Sequence, residues 1–142
     1  MTNQISLGKD FFFGGNSTFT VESEKTGQWR TFKIRKMKAN SRFPNPAWAV
    51  ALLAGPDNEN DFQYIGKVNP DTGMLKLGSR FNDGSLPVVI FRWLMGHVFT
   101  DMVLPNGKVH HEGKCGCCGR KLTVPESIQR GIGPECWSRL AV

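Results

Sequence analysis

The sequence predicts an α+β protein in which a five-stranded antiparallel β-meander is packed by one helix and followed by a small cysteine-rich module. Apolar and polar residues alternate in short segments of the first half, and apolar residues recur at helical spacing after residue 86. All four cysteines lie between Cys115 and Cys136. With 142 residues, the chain is long enough for one compact domain and a small appendage.

The strands are predicted from the alternation and from the turn residues between the segments. Phe19 and Val21 alternate with polar residues in the first strand, and Phe32 and Ile34 do so in the second. The polar link between these two strands ends in Gly27, which suits a hairpin loop. The predicted strands cover residues 17–22, 28–37, 47–53, 62–68 and 74–77, with a proline-containing loop at 40–46 and a turn at 55–58.

One helix completes the first domain. From Pro87 onwards, apolar residues recur at helix-like spacing, and Ser85 stands ahead of them as a capping residue. This pattern predicts a helix from about 87 to 100 that lies on the sheet. We therefore expect an α+β domain over residues 1–105 and a separate module over residues 106–142.

The module begins with a metal-binding pattern. Cys115 and Cys118 form a C-x-x-C pair followed by Gly119, the arrangement of a zinc knuckle. Two intervening residues let both sulfurs face one ion at about 2.3 Å, and the glycine permits the tight turn that aims backbone N–H groups at the thiolates. The sequence T-V-P-E at 123–126 is a capping box that predicts a short helix. The G-P turn at 133–134 then returns Cys136 to the metal as a third ligand.

A tetrahedral structural zinc site needs a fourth ligand. His111 is the preferred candidate because three residues between it and Cys115 leave a comfortable chelate loop; His110 and Cys117 stay open as alternatives. We expect a structural Zn²⁺ that folds a tail with almost no core of its own. A reduced cluster of thiols without a metal is the competing interpretation. The predicted ligands are Cys115, Cys118, Cys136 and His111.

Enzyme activity is not expected. The tail contains H-x-E and C-x-x-C, the pieces of a nucleic-acid deaminase, but only two residues separate them, whereas deaminases place them on separate helices. His97 lies within the predicted helix, and the acids Asp57, Glu59 and Asp61 are typical of a solvated loop. No catalytic triad order, phosphate-binding loop or dinucleotide fingerprint is present.

The tail motif resembles a known family. Between Cys115 and Cys136 the pattern C-x-x-C-G-R-K-L-T-x-P-E-S-I-x-x-G-I-G-P-x-C is similar to that of an uncharacterised bacterial and phage domain family of unknown function. The stretches at 14–20, 25–27 and 53–58 resemble the domain that precedes the same tail in many phage-encoded proteins. The resemblance implies a phage or mobile-element accessory protein with a zinc-binding end, and it implies no biochemical activity. Cys117 departs from the family pattern.

Charge points to a polyanionic or acidic partner. The net charge is +6, and no acidic residue interrupts the run of cations in residues 25–42, which we call the cationic strip. The strip interleaves aromatic and basic residues, as proteins that bind single strands do. Its cations are equally compatible with the solvated face of a hairpin. The candidate nucleic-acid-binding residues are Trp29, Arg30, Lys33, Arg35, Lys36, Lys38 and Arg42 in the strip, and Arg120, Lys121 and Arg130 in the tail.

Two functions follow from these observations. The first is a zinc-stabilised accessory protein that binds single-stranded or structured nucleic acid with little sequence specificity. The alternative is a protein-interaction module that docks on a host enzyme or defence complex and inhibits or redirects it. We expect a cytoplasmic protein with no membrane partner, because the sequence has no long apolar run and no signal-peptide pattern.

Overall fold

The computed structural model describes residues 2–5, 7–38, 47–55, 61–122 and 125–140. Within these ranges the chain forms two sheets and four helices. In chain order the elements are β1 (Thr2–Gln4), α1 (Lys9–Phe12), β2 (Asn16–Ser23), β3 (Trp29–Met37), β4 (Ala47–Leu53), β5 (Phe62–Val68), β6 (Leu75–Leu77), α2 (Leu86–Val98), β7 (Val103–Pro105), β8 (Gly107–His111), α3 (Pro125–Arg130) and α4 (Pro134–Leu140).

The main sheet has six antiparallel strands in the order β6-β5-β4-β3-β2-β8. The first five of them form the predicted meander, so the α+β fold class is confirmed. β8 is a sixth strand that the sequence analysis did not predict, and it pairs with β2 in a register that places Phe19 opposite His111. The cysteine-rich tail therefore starts as part of the sheet, immediately after the predicted boundary at residue 105.

One face of this sheet, the inner face, packs against α2 and forms the core. Phe19 and Phe32 lie opposite each other in β2 and β3, and both are fully buried. The ring of Phe32 meets the ring of Phe91 on α2, with centroids 5.5 Å apart. Burial of such a side chain stabilises the fold by roughly 2 kcal/mol. The predicted helix is thus confirmed over Leu86–Val98, where the apolar spacing faces the sheet.

The start of α2 differs in detail from the prediction. Ser85 precedes the helix in an extended conformation, but its hydroxyl makes no capping hydrogen bond. The hydroxyl contacts Asn82 instead, accepting from the Asn82 backbone N–H at 3.2 Å. Pro87 in the first turn has no N–H to satisfy, which reduces the need for a cap.

α1 joins the tail to the core. Phe11 and Phe12 are both buried, and the Phe12 ring packs on Phe19 with centroids 4.9 Å apart. The Phe11 ring fills the space beside two tail glycines, because a Cβ at Gly116 would stand 2.8 Å from the ring and a Cβ at Gly131 would overlap it. The tail and the sheet therefore share an apolar contact that the sequence did not predict.

Three of the sequence predictions cannot be compared fully with the structure. The predicted loop at 40–46 and the N-terminal residue of the capping box, Thr123, lie outside the described residues, as does most of the turn predicted at 55–58. Among the helices of the described ranges, none is long and apolar enough to cross a membrane.

Candidate metal centre and nucleic-acid interface

The C-x-x-C pair sits in a tight turn that is separated by three residues from the end of β8. The Gly119 N–H donates to the Cys115 carbonyl oxygen at 2.9 Å, and the Cys115 N–H donates to the Arg120 carbonyl oxygen at 2.8 Å. Gly119 has a φ of +78°, in the left-handed region that only glycine adopts without strain. The predicted requirement for glycine after the second cysteine is therefore met, and the turn brings both sulfurs to one side.

Cys136 comes from the opposite end of the tail. α3 ends where the Gly131 N–H donates to the Ser127 carbonyl oxygen at 2.8 Å, and Gly131 has a φ of +75°. The chain then turns, and α4 begins at Pro134. Cys136 lies in the first turn of α4, a helix that the sequence analysis did not predict. Its sulfur thereby returns to the C-x-x-C pair.

The three sulfurs of Cys115, Cys118 and Cys136, which we call the cysteine triad, lie within 4.8 Å of one another. A tetrahedral zinc ion with Zn–S bonds of about 2.3 Å places its sulfurs about 3.8 Å apart, so a small contraction would complete the geometry. Soft thiolates are ligands that zinc accepts readily, and none of the four cysteines is in a disulfide. The triad can therefore hold a metal ion such as zinc.

The sulfur environments differ within the triad. Burial would raise the pKa of Cys115, but backbone N–H groups of Gly133, Cys118 and Cys117 outweigh it and bring the pKa down to about 7. The Gly133 and Cys117 N–H groups donate to this sulfur at 3.3 and 3.4 Å. Burial raises the pKa of Cys136 to about 12. At neutral pH, a substantial fraction of Cys115 is therefore already ionised, while Cys136 releases a proton when it becomes a ligand.

The predicted fourth ligand, His111, is not brought into the triad. Its Nδ1 accepts from the Gly113 N–H at 2.8 Å, and its Nε2 donates to the Ile128 carbonyl oxygen. In this arrangement neither ring nitrogen has a lone pair available for an ion. The assignment of His111 as a ligand stays a prediction.

The two alternative fourth ligands also lie outside the triad. His110 projects from β8 towards Glu22, and its Nε2 lies 3.1 Å from a carboxylate oxygen of that residue. Cys117 is half-buried, and burial together with the neighbouring Cys115 thiol raises the pKa of its thiol to about 11. Its thiol interacts with Cys115 and Cys136, so Cys117 borders the triad without belonging to the cluster of mutually close sulfurs. Its sulfur lies beside Gly14, where a Cβ would approach it to 2.8 Å. Of the described His, Cys, Asp and Glu residues, only the triad forms such a cluster.

A pocket of about 260 Å³ opens at the cysteine triad. All three cysteines line it, together with the basic side chains of Arg120, Lys121 and Arg139. Glu135 also lines the pocket, and its carboxylate lies 3.8 Å from the Arg120 guanidinium. Two candidate nucleic-acid-binding residues, Arg120 and Lys121, are therefore neighbours of the metal site.

The third tail candidate is engaged within the tail itself. The Arg130 guanidinium lies over the Trp137 ring, 4.7 Å from its centroid. Its Nε donates to the Ile132 carbonyl oxygen at 3.2 Å. These contacts hold Arg130 between α3 and α4, so its side chain stabilises the junction of the two helices.

The alternation of β3 divides the cationic strip between the two faces of the sheet. Lys33 and Arg35 share the face turned away from α2, and Trp29, with 59% of its surface exposed, belongs to the same set of positions. Arg30 and Lys36 occupy the alternate positions of β3, which lie on the face that packs against α2. The Arg30 guanidinium donates to the Trp29 carbonyl oxygen at 2.9 Å, and the Lys36 ammonium lies 5.4 Å from the centroid of the Trp48 ring.

The last two members of the strip follow β3. Lys38 is exposed just beyond the strand, and Arg42 lies outside the described residues. The strip is therefore not one continuous surface, and only part of it shares a face with the exposed tryptophan.

The face turned away from α2, which we call the outer face, gathers cations and aromatic rings from four strands. The register places Lys33 opposite Ala51, which in turn stands opposite Tyr64. A second row runs across the sheet in the same way. Residues paired across antiparallel strands lie on the same face, so these rows are contiguous. The second row consists of Arg35, Ala49, Lys67 and Lys76.

Ala49 and Ala51 have small side chains, so the centre of the outer face is shallow and is bordered by larger side chains. Tyr64 has 45% of its surface exposed, and the Lys33 ammonium lies 5.0 Å from the centroid of the Phe62 ring. Arg35, Lys67 and Lys76 are exposed. The sequence analysis missed Tyr64 because its membership of this face follows from the register and from the β-bulge in the pairing of β4 with β5.

The knuckle lies next to the outer face. Asn16 stands opposite Arg35 in the register, and its backbone N–H donates to the Gly116 carbonyl oxygen at 2.8 Å. Its side-chain amide lies against Gly119, where a Cβ would approach the amide nitrogen to 2.8 Å. Arg120 follows directly in the chain, so the basic residues of the tail begin close to the edge of the outer face.

The tail matches a family of unknown function. Residues 109–141 fit a family model described as "Family of unknown function (DUF6011)", and this match spans about a quarter of the chain. It contains the whole cysteine triad, which confirms that the tail resembles a family of unknown function. No curated protein and no solved structure matches the chain.

Proposed function

We propose that this chain is a zinc-stabilised accessory protein of a phage or mobile element that binds single-stranded or structured nucleic acid, with little sequence specificity, on its outer face. The observation that carries the proposal is the pairing of exposed cations with an exposed aromatic ring on one side of a sheet whose other side is covered by α2. The proposed metal is a structural Zn²⁺ at the cysteine triad.

The chemistry of the outer face suits a single strand. Lys33 and Arg35 supply positive charge for phosphates, and Tyr64 offers an aromatic surface on which a base can stack. Ala49 and Ala51 allow close approach of an extended strand between them. A rigid duplex would present its phosphates but could not stack its bases on a flat face, which favours single-stranded or looped nucleic acid.

The zinc part of the proposal rests on the triad and on the small apolar content of the tail. Besides the cysteines, Leu122 and Ile132 are the buried apolar side chains among the described residues after His111. Binding of a structural zinc ion supplies about 10–16 kcal/mol, which exceeds what two aliphatic side chains contribute. When bound, the ion supplies a covalent anchor between the knuckle and α4.

Stacking is tested by replacing Tyr64. Labelled oligonucleotides of single-stranded DNA, duplex DNA and RNA are titrated with the full chain, and binding is followed by fluorescence anisotropy. Tyr64→Ala should lose roughly 5- to 150-fold in affinity for the single strand, since stacking of one base is worth about 1–3 kcal/mol. Tyr64→Phe should retain the affinity because it keeps the ring.

Val89→Ala is the matched control, since Val89 is equally exposed but lies on α2, away from the outer face. If the wild type, Tyr64→Ala and Val89→Ala all bind with equal affinity, the nucleic acid binds somewhere other than Tyr64. If the wild type binds none of the three nucleic acids at 50 mM salt, the proposal fails, and the alternative of a protein partner for the basic surfaces gains support.

A further inference from the structure

A purely structural metal site needs no pocket beside its ligands, yet such a pocket lies beside the cysteine triad. All three cysteines line its volume of about 260 Å³. A site completed by four protein ligands is ordinarily closed to solvent, whereas a site with three protein ligands leaves a position for an external ligand. The access of the triad to this pocket fits the second type.

Both ring nitrogens of the predicted fourth ligand already have other partners. Both ring nitrogens of His111 are hydrogen bonded, one to the Gly113 N–H and the other to the Ile128 carbonyl oxygen. These two bonds tie β8 to the turn at Gly113 and to α3. Recruitment of His111 to an ion would break at least one of them, because a coordinating nitrogen can neither donate nor accept a hydrogen bond.

The charge around the pocket favours an anion. Three thiolates on a divalent ion leave a net charge of −1, and an anionic fourth ligand would make it −2. Arg120, Lys121 and Arg139 line the same pocket and offset that charge, while Glu135 lies 3.8 Å from Arg120 and compensates only one of the three cations. The excess of positive charge lies where an anionic ligand would enter.

We propose that the cysteine triad is an open metal site whose fourth position faces this pocket and takes an exchangeable small anion. The inference rests on the metal site of the proposed function, but not on nucleic-acid binding. The ligand class is a compact anion that fits the pocket beside three cations, such as azide in the laboratory.

The test uses the full chain loaded with one equivalent of Co²⁺, whose visible absorption reports its coordination. An absorption spectrum with thiolate charge-transfer bands would first establish that the triad binds the ion, independently of the fourth ligand. Azide is then titrated, and bound cobalt is quantified after gel filtration. A saturable shift of the d–d bands with cobalt retained is the expected result.

Variants separate the open site from its alternatives. His111→Ala and Cys117→Ser should leave the cobalt spectrum unchanged, because neither side chain is a ligand in the open site. Arg139→Gln should weaken azide binding about two- to fivefold, the range expected for removal of one partly screened charge pair. Arg130→Gln is the matched control, since its side chain is stacked on Trp137 and does not line the pocket.

Three results would overturn the inference. The first is a cobalt spectrum that azide does not change. The second is a spectrum of the azide-free His111→Ala or Cys117→Ser protein that shows replacement of one protein ligand by water, which would identify that residue as the fourth ligand. The third is displacement of the ion by azide rather than formation of a ternary complex. A protein that fails to bind Co²⁺ at all contradicts the metal site itself, and nucleic-acid binding is measured separately.

Discussion

Removal of the metal should unfold the tail and leave the sheet intact. The perturbation is complete chelation of the purified, metal-loaded chain under reducing conditions. The backbone hydrogen bonds that depend on the knuckle and on the turn before α4 include those from Cys115 to Arg120, from Gly119 to Cys115, and from Gly131 to Ser127. Hydrogen exchange of the amides of Cys115, Gly119 and Gly131 reports directly on these bonds.

The expected size of the effect follows from linkage. At a free metal concentration 100 times the dissociation constant, binding stabilises the folded tail by about 2.7 kcal/mol, which corresponds to about 100-fold slower exchange. Leu122 and Ile132 contribute roughly 1.5–3 kcal/mol each by burial, too little to order the segment without the metal. Chelation should therefore remove this protection entirely.

The sheet serves as the internal control. Amides of β3 and β4, which pair through register positions such as Phe32 and Leu52, should keep their exchange rates. The Asn16 amide, which donates to the Gly116 carbonyl oxygen, should show an intermediate loss because its acceptor belongs to the tail. Unchanged protection in the tail after complete metal removal would refute the reasoning. Equal loss in tail and sheet would also refute it, by showing that the metal holds the whole fold.

Two further predictions concern the same module. Metal affinity should rise with pH by at least tenfold per unit between pH 7.5 and 9.5, because burial raises the pKa of Cys136 to about 12 and the ion must displace its proton. Competition with a chromophoric chelator measures this slope, and a flat profile would contradict it. Gly131→Ala should destabilise the tail by about 1–3 kcal/mol more than Gly113→Ala. Both glycines have positive φ, but only at Gly131 would the added Cβ overlap Phe11; thermal unfolding with bound metal compares the two, and equal losses would disprove the contact with Phe11.

The local patterns predicted most of the sheet because its strands alternate clearly. Phe19 with Val21 and Phe32 with Ile34 face the core as their spacing indicated. β8 escaped prediction because its five residues, Gly107–His111, carry only one aliphatic side chain, and its pairing with β2 is a contact between distant parts of the chain. Such pairings depend on tertiary structure and leave no local signal.

The sequence also predicted part of the candidate site, namely the part that local sequence patterns determine. The C-x-x-C spacing and Gly119 identify the knuckle locally, and the turn after α3 brings in Cys136 as expected. The surroundings of His111 are set by Gly113 and Ile128, which the histidine-to-cysteine spacing cannot reveal. The pairing register of four strands determines which residues share the outer face, so Tyr64 could not be assigned to it from the sequence.

Nucleic-acid binding by the outer face is tested most directly by the salt dependence of affinity. Wild type and Lys33→Gln/Arg35→Gln are compared by anisotropy with one labelled single strand at 50 and 200 mM salt. Lys9→Gln/Arg92→Gln, on α1 and α2, is the control of equal charge change away from the outer face. Each phosphate contact on a single strand contributes about 0.7 to the slope of log affinity against log salt, so loss of two contacts lowers it by about 1.4. Over this range the wild type should lose about sevenfold more affinity than the outer-face variant, and the control should behave like the wild type. Identical slopes for all three proteins would contradict the assignment of the outer face as the binding surface.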